Sequence, residues 1–120
     1  MTLNKNYQKK FIELINILKI LRGPNGCPWD KKQTSKNLIP YLLEETYEVI
    51  EAIENDDNIS LKEELGDLLL HILFQAEIAN EQKKFNIYDC LNSISNKLIK
   101  RHPNIFNDEH NEKSWEELKK

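Results

Sequence analysis

The sequence predicts an all-α protein, and three observations carry that prediction. A single Val stands against 16 Leu, 15 Lys and 14 Glu, the usage of helix formers. No segment alternates apolar and polar residues for long enough to make a strand, whereas apolar residues recur at three- and four-residue steps along most of the chain. Two of the three glycines and two of the four prolines fall in one stretch, Gly23 to Asp30, which marks a structured loop between helical segments. At 120 residues and 14.2 kDa a single domain spanning residues 1–120 is expected, built from four main helices and a short C-terminal one.

The first helix is predicted from about Tyr7 to Leu21, where Phe11, Ile12, Leu14, Ile15, Leu18 and Leu21 follow helical spacing and Arg22-Gly23-Pro24 stops it. Gly23 to Asp30 reads as a structured loop closed by an aromatic and an acid. The second helix starts between Thr34 and Pro40 and ends at Glu54, with Ile39, Leu42, Leu43, Thr46, Val49, Ile50 and Ile53 on one face. After the polar turn Asn55–Asn58, Ser60 and Glu63 read as a capping box that opens a third helix reaching about Asn80. Between Leu65 and Phe74 that helix is apolar nearly all round, which predicts burial on several sides and a second subunit to supply it. Leu69, Leu70, Leu73 or Phe74 would reach such an interface. A fourth helix runs from about Tyr88, with Leu91, Ile94 and Leu98 inward, to a stop at His102 before Pro103. Asn104 to Asn111 reads as loop, and Ser114-Trp115-Glu116-Glu117 starts the last helix.

Composition excludes several classes. The net charge of −3 gives no general attraction to nucleic-acid polymers. No apolar run approaches the ~18 residues of a membrane span, and the N-terminal apolar stretch lacks a signal peptide's cleavage site. Cys27 and Cys90 are far apart with no Cys/His ligand spacing, which argues against zinc and against a disulfide framework and favours a cytoplasmic location.

Acids spaced i, i+3 leave a helix on one face, and two such pairs on facing helices can surround a divalent cation. The pattern alone is weak, since ExxE occurs four times and ExxD twice in this Glu-rich chain. Position separates the candidates. Glu64 and Asp67 precede the apolar turn Leu68–Phe74, and Glu45 borders the apolar face of the second helix with Glu48 beside it, whereas Glu44 points away. Glu45, Glu48, Glu64 and Asp67 are therefore the predicted cluster, suited to Mg²⁺ or Mn²⁺. Gly66 inside this helix predicts a close approach, either by a packed helix or by a ligand phosphate or metal-bound water. Lys97 and Arg101, spaced i, i+4, could grip an anion, and Trp115 with Lys119 repeats that spacing for a ring and a cation. His71 reads as a core or supporting histidine and His102 as part of a helix stop. A di-iron carboxylate bundle is disfavoured because no Glu stands three residues before His71 or His102.

The motifs GCPWD at Gly26–Asp30, QT at Gln33-Thr34, LEETYEVIEAI at Leu43–Ile53, EELGDLLLHILF at Glu63–Phe74, KLIKRHPNIF at Lys97–Phe106 and WEELK at Trp115–Lys119 follow in order. In these the chain resembles the MazG family of nucleoside triphosphate pyrophosphohydrolases over roughly residues 14–120. The resemblance implies the all-α nucleoside triphosphate pyrophosphatase bundle, a tight homodimer or higher oligomer, and Mg²⁺-dependent cleavage between the α- and β-phosphates. It implies Glu45, Glu48, Glu64 and Asp67 as metal ligands, with Glu45 or Glu48 taking the proton from water. Lys97, Arg101, Trp115, Lys119 and Asp67 are implied as substrate contacts, and the turn before Glu45 and the segment before Glu64 would also lie near the nucleotide. Many members of the family carry two such domains in tandem, so a second reading is a catalytically weak dimerisation or regulatory module derived from such an enzyme.

Overall fold

The structure, a computed structural model, describes residues 5–106. Six helices follow in chain order, α1 (Lys5–Leu21), α2 (Pro28–Lys32), α3 (Ile39–Glu54), α4 (Asn58–Glu81), α5 (Ile87–Lys100) and α6 (Pro103–Phe106), and no strand occurs among the described residues. The chain divides into two compact units, Met1–Lys84 and Phe85–Lys120.

In the first unit α4 is the central element, packed against both α3 and α1. Its core is small: Leu18 from α1, Leu38, Val49 and Ala52 from the α3 region, and Leu73, Phe74, Ala76, Ile78 and Ala79 from α4. Helix α1 stops where the sequence predicts. There the chain folds back so tightly that a Cβ on Gly26 would lie 2.2 Å from the Leu21 carbonyl oxygen, so only glycine fits. Cys27 N–H donates to that same carbonyl at 2.8 Å. The segment predicted as loop contains α2, a five-residue helix with Pro28 in its first turn, Asp30 behind it and Lys31 and Lys32 at its end.

Three residues, Asn55, Asp56 and Asp57, join α3 to α4 and make the two an antiparallel helical hairpin. Asp56 takes φ 51°, which lets Asp57 N–H close onto the Ala52 carbonyl at 3.0 Å. Lys83, at φ 58°, closes α4 in the same way. The cap of α4 is Asp57 rather than Ser60: Ser60 lies inside the first turn and donates its backbone N–H to Asp57 Oδ1 at 3.1 Å and its hydroxyl to Oδ2 at 2.8 Å. A three-residue connection leaves no room for a later start.

The middle of α4 is not covered on all sides by its own chain. Leu73 and Phe74 are buried in the core, whereas Leu65, Leu69 and Ile72 are exposed. Of the residues named for an interface, Leu73 and Phe74 are thus occupied within the chain. An added Cβ on Gly66 would meet nothing within 4 Å, so packing within this chain does not account for that glycine.

In the second unit α5 opens on a capping box, Asn86 accepting from Asp89 N–H and Asp89 accepting from Asn86 N–H. His102 Nδ1 lies 2.7 Å from the Leu98 carbonyl, as expected of a helix stop, and α6 follows at Pro103, where the sequence reading placed loop.

Candidate metal centre

The α3–α4 hairpin sets a register of facing pairs. Moving away from the turn, Glu48 lies opposite Glu64, Glu45 opposite Asp67 and Tyr41 opposite His71, each pair three or four residues further along both helices. Contacts across the hairpin agree with that register. Glu48 and Glu64 bring carboxylate oxygens within 4.8 Å of each other, the Asp67 charge acts on Glu45, and the Tyr41 and His71 rings lie parallel with centroids 6.4 Å apart.

Glu45, Glu48 and Glu64 each bring a carboxylate oxygen into a group whose members all lie within 4.8 Å of one another, as the sequence predicts for these three. All are half-buried. Glu45 Oε2 and Glu64 Oε2 are buried without a hydrogen-bond partner. Asp67 stands at the rim, exposed and outside the tight group, although its charge reaches Glu45 and Glu64. Glu44 is exposed, as its place on the helix requires.

The electrostatics follow from like charges gathered together. Burial pushes Glu45 above the ordinary carboxylate range; its hydrogen bond with Glu64 works against this, and the charges of Glu48 and Asp67 add to it. Hydrogen bonding with Glu64 raises Glu48, followed by burial and the charges of Glu64 and Glu44. Hydrogen bonding with Glu48 draws Glu64 down, but its bond with Glu45, burial, and the charges of Glu45 and Asp67 outweigh this and leave it raised.

These residues fit a hard divalent cation. The donors are all carboxylate oxygens, the chemistry Mg²⁺ and Mn²⁺ favour, and two of the oxygens are buried with nothing to bond. Opposite oxygens of an Mg²⁺ octahedron stand about 4 Å apart, so a group no wider than 4.8 Å closes on an ion with small side-chain adjustment. On the side of the turn the cluster opens into a polar cavity of about 310 Å³ lined by Glu48, Glu51, Ala52, Asn55, Asp57, Ser60 and Glu64. On the other side stands the Tyr41–His71 pair, with Trp29 of α2 edge-on against Tyr41 at 5.6 Å and 89°.

Lys97 lies in the last turn of α5 and Arg101 is its C-cap, the Arg101 N–H donating to the Lys97 carbonyl at 2.9 Å. Both belong to the second unit. Trp115 and Lys119 lie outside the described residues. The sequence reading missed Trp29, Tyr41 and Arg22. Tyr41 and His71 could have been found by continuing the mirrored spacing of Glu45 and Asp67 by one turn. Arg22 could not: its Nε and Nη2 donate to both carboxylate oxygens of Glu81, 59 residues away, at 2.7 and 2.8 Å. Its Nη1 donates to the carbonyls of Asp30 and Gln33 at 2.6 and 3.1 Å, and its guanidinium stands 5.3 Å over the Phe74 ring.

Fold and cluster together define a class, an all-α protein with a carboxylate-only centre inside an antiparallel helical hairpin. The pattern of the MazG nucleotide pyrophosphohydrolase domain matches residues 33–106, and the chain belongs to that family. It is 49% identical over 111 residues to the nucleoside triphosphate pyrophosphohydrolase/pyrophosphatase MazG of Thermotoga maritima, covering 91% of this chain and 44% of that protein. It is 47% identical over 113 residues to the nucleoside triphosphate pyrophosphohydrolase of Escherichia coli K12, covering 88% and 43%. The chain thus spans less than half the length of these curated relatives. A crystal structure of a mazG-related protein from Thermotoga maritima superposes with a TM-score of 0.68 at 30% identity over 88% of this chain and 90% of that one.

Proposed function

We propose that this chain is a Mg²⁺-dependent nucleoside triphosphate pyrophosphohydrolase, converting a ribo- or deoxyribonucleoside triphosphate to the monophosphate and pyrophosphate. One observation carries the reading: Glu45, Glu48 and Glu64 converge with two buried, unpartnered oxygens in a chain that belongs to a nucleotide pyrophosphohydrolase family. The names of the relatives support the reaction.

In this reading Glu45, Glu48, Glu64 and Asp67 hold Mg²⁺, or Mn²⁺ in its place. A bound divalent cation supplies charge neutralisation, polarisation of phosphate oxygens and a lowered pKa for water. The chain's own residues do the rest. Glu45 or Glu48 accepts the proton of the attacking water. The cavity beside Glu48 and Glu64 lies at the lower end of small-ligand pocket sizes and would receive part of the nucleotide. Asp67, exposed at the rim, faces incoming substrate. Lys97 and Arg101 hold phosphates, and Trp115 and Lys119 contact base and phosphate.

The active form would be a cytoplasmic homodimer, or a larger assembly of dimers. Support for association comes from apolar side chains left in solvent: Ile39, Leu43, Tyr47 and Ile50 on α3, and Tyr88, Leu91, Ile94 and Leu98 on α5. Among the described residues no helix is long and apolar enough to cross a membrane. The test is product analysis by ³¹P NMR with several nucleoside triphosphates and Mg²⁺. Monophosphate and pyrophosphate are expected. Diphosphate and orthophosphate would overturn the bond assignment, and no turnover by folded protein would return the chain to the weakly catalytic module.

A further inference from the structure

On the side away from the turn, the last facing pair of the hairpin is aromatic. Tyr41 stands one turn before Glu45 on α3, His71 one turn after Asp67 on α4, and their rings lie within 9° of parallel. Tyr41 keeps 42% of its surface in solvent, but its face meets that of His71 across the hairpin, and two such rings limit how closely the backbones that carry them can approach, because neither can compress and each has few rotamers. The placement also has a cost that an apolar pair would not carry, since His71 Nδ1 is buried with no hydrogen-bond partner.

The pair does not stand alone. Trp29 rests edge-on against Tyr41, and Trp29 belongs to α2, a helix of five residues with no buried side chain to hold it in place. Polar staples hold it instead. Arg22, whose side chain is only 7% exposed, donates to the carbonyls of Asp30 and Gln33 while its other donors are fixed on Glu81 of α4. Just after α2, the Gln75 side chain donates to the Ser35 carbonyl at 3.0 Å and accepts from the Ser35 hydroxyl. Both staples tie this segment to α4, the helix that carries Glu64, Asp67 and His71. A short helix with no buried side chain is thus anchored at several points, and the residue it presents to the hairpin is Trp29.

We infer that Trp29, Tyr41 and His71 are positioning residues for the carboxylate centre: the stacked pair, backed by Trp29, sets the α3–α4 spacing at which Glu45 and Glu48 meet Glu64. The inference rests on the metal reading proposed above and adds residues to it that touch neither the ion nor the substrate. Carboxylates on opposite helices satisfy one ion only at one separation, so relaxing the nearest packed pair should weaken the ion without unfolding the chain.

The experiment is a Mn²⁺ titration followed by electron paramagnetic resonance of the free ion, on the full chain without nucleotide and at a temperature where circular dichroism shows each variant folded. Tyr41→Ala should weaken Mn²⁺ about tenfold, the usual scale for groups that orient metal ligands. Trp29→Ala should weaken it by about threefold, and Tyr41→Phe, which keeps the ring, should bind as the parent does. Ile78→Val, a buried change on α4 beyond the aromatic pair, reports loss of stability alone and should leave Mn²⁺ affinity unchanged. Parental affinity in Tyr41→Ala and Trp29→Ala, with the parent binding normally, overturns the positioning role and leaves the metal centre standing. Should Tyr41→Ala not fold, Trp29→Ala decides in the same way, its ring being 44% exposed and removable. A parent that binds no Mn²⁺ overturns the metal reading, and this inference with it.

Discussion

Helix α4 carries two charged centres that are handled in opposite ways. Near its C-terminus Glu81 is held by Arg22 through two hydrogen bonds, which draw its carboxyl below the ordinary range against the opposing effect of burial. Near its N-terminus Glu64 is gathered with Glu45 and Glu48 among other acids, all three raised, with buried oxygens left unbonded. Charges that serve the fold are neutralised within the chain. Charges gathered with no cation beside them among the described residues are a cost to folding, and a bound ion from solution would relieve it. Two cations serve the fold in the same way, Lys19 on Glu77 and Arg22 on Glu81.

The largest expected effect breaks the acidic centre. Glu48→Gln and Asp67→Asn keep shape and remove charge, so turnover should fall by at least about 10²-fold while the metal-free fold is kept or gains stability. Loss of folding with retained Mg²⁺ binding, compared by circular dichroism and calorimetry, would make these acids structural. Next is Arg101→Ala, for which kcat/KM should fall by about 10²-fold, on the order of 3 kcal/mol, with metal affinity barely changed. Steady-state kinetics equal to the parent's would return Arg101 to the surface.

The paired centre should respond in stability instead. Arg22→Met leaves the Gln33 carbonyl without its donor, the Asp30 carbonyl with only the long bond from Gln33 N–H at 3.4 Å, and Glu81 without its partner. A loss of about 2–3 kcal/mol is expected, below the figure for a fully buried pair because Glu81 remains 41% exposed. This corresponds to roughly 10 °C in Tm, measured by calorimetry, with kcat at a permissive temperature less affected than in the acid variants.

Legibility in the sequence divides along the same line. The acids could be read because a helical period converts sequence spacing into a shared face, and α3 and α4 are long enough for that period to be unambiguous. The apolar letters after Asp67 place it beside an apolar turn, yet Asp67, Leu65, Leu69 and Ile72 are all exposed in the chain, so apolar composition does not report burial here. Ser60 was read as a cap from its capping-box partner, but Asp57 lies nearer the turn and takes both of its donors. Helix α2 was hidden by flanking glycine and proline, although Pro28 in its first turn and lysines in its last were a legible signal. The Arg22 clamp had none, since its acceptors are a glutamate across the fold and two backbone carbonyls, which every residue possesses.

The smallest expected effect is in pH dependence, where the two centres have opposite signs. Glu45, Glu48 and Glu64 bind protons more tightly folded than unfolded. Without metal their protonated form therefore stabilises the chain below the ordinary glutamate pKa, and this is lost as pH rises through the raised values. Glu81 is lowered, so its contribution is present above the ordinary value and lost as pH falls through the lowered one. Tm measured from pH 3 upward should fall at the acidic end in the parent but less in Arg22→Met, and its decline above about pH 4.5 should weaken in Glu48→Gln.

Melting temperature against Mg²⁺ concentration at pH 7 reports whether the acids gathered in the α3–α4 hairpin hold a divalent cation. The parent's Tm should rise with the logarithm of Mg²⁺ above the dissociation constant, by about 1.4 kcal/mol or roughly 5 °C at ten times that constant, while Glu48→Gln starts higher and stays nearly flat. A flat parent curve, or an equal rise in Glu48→Gln, would contradict that role.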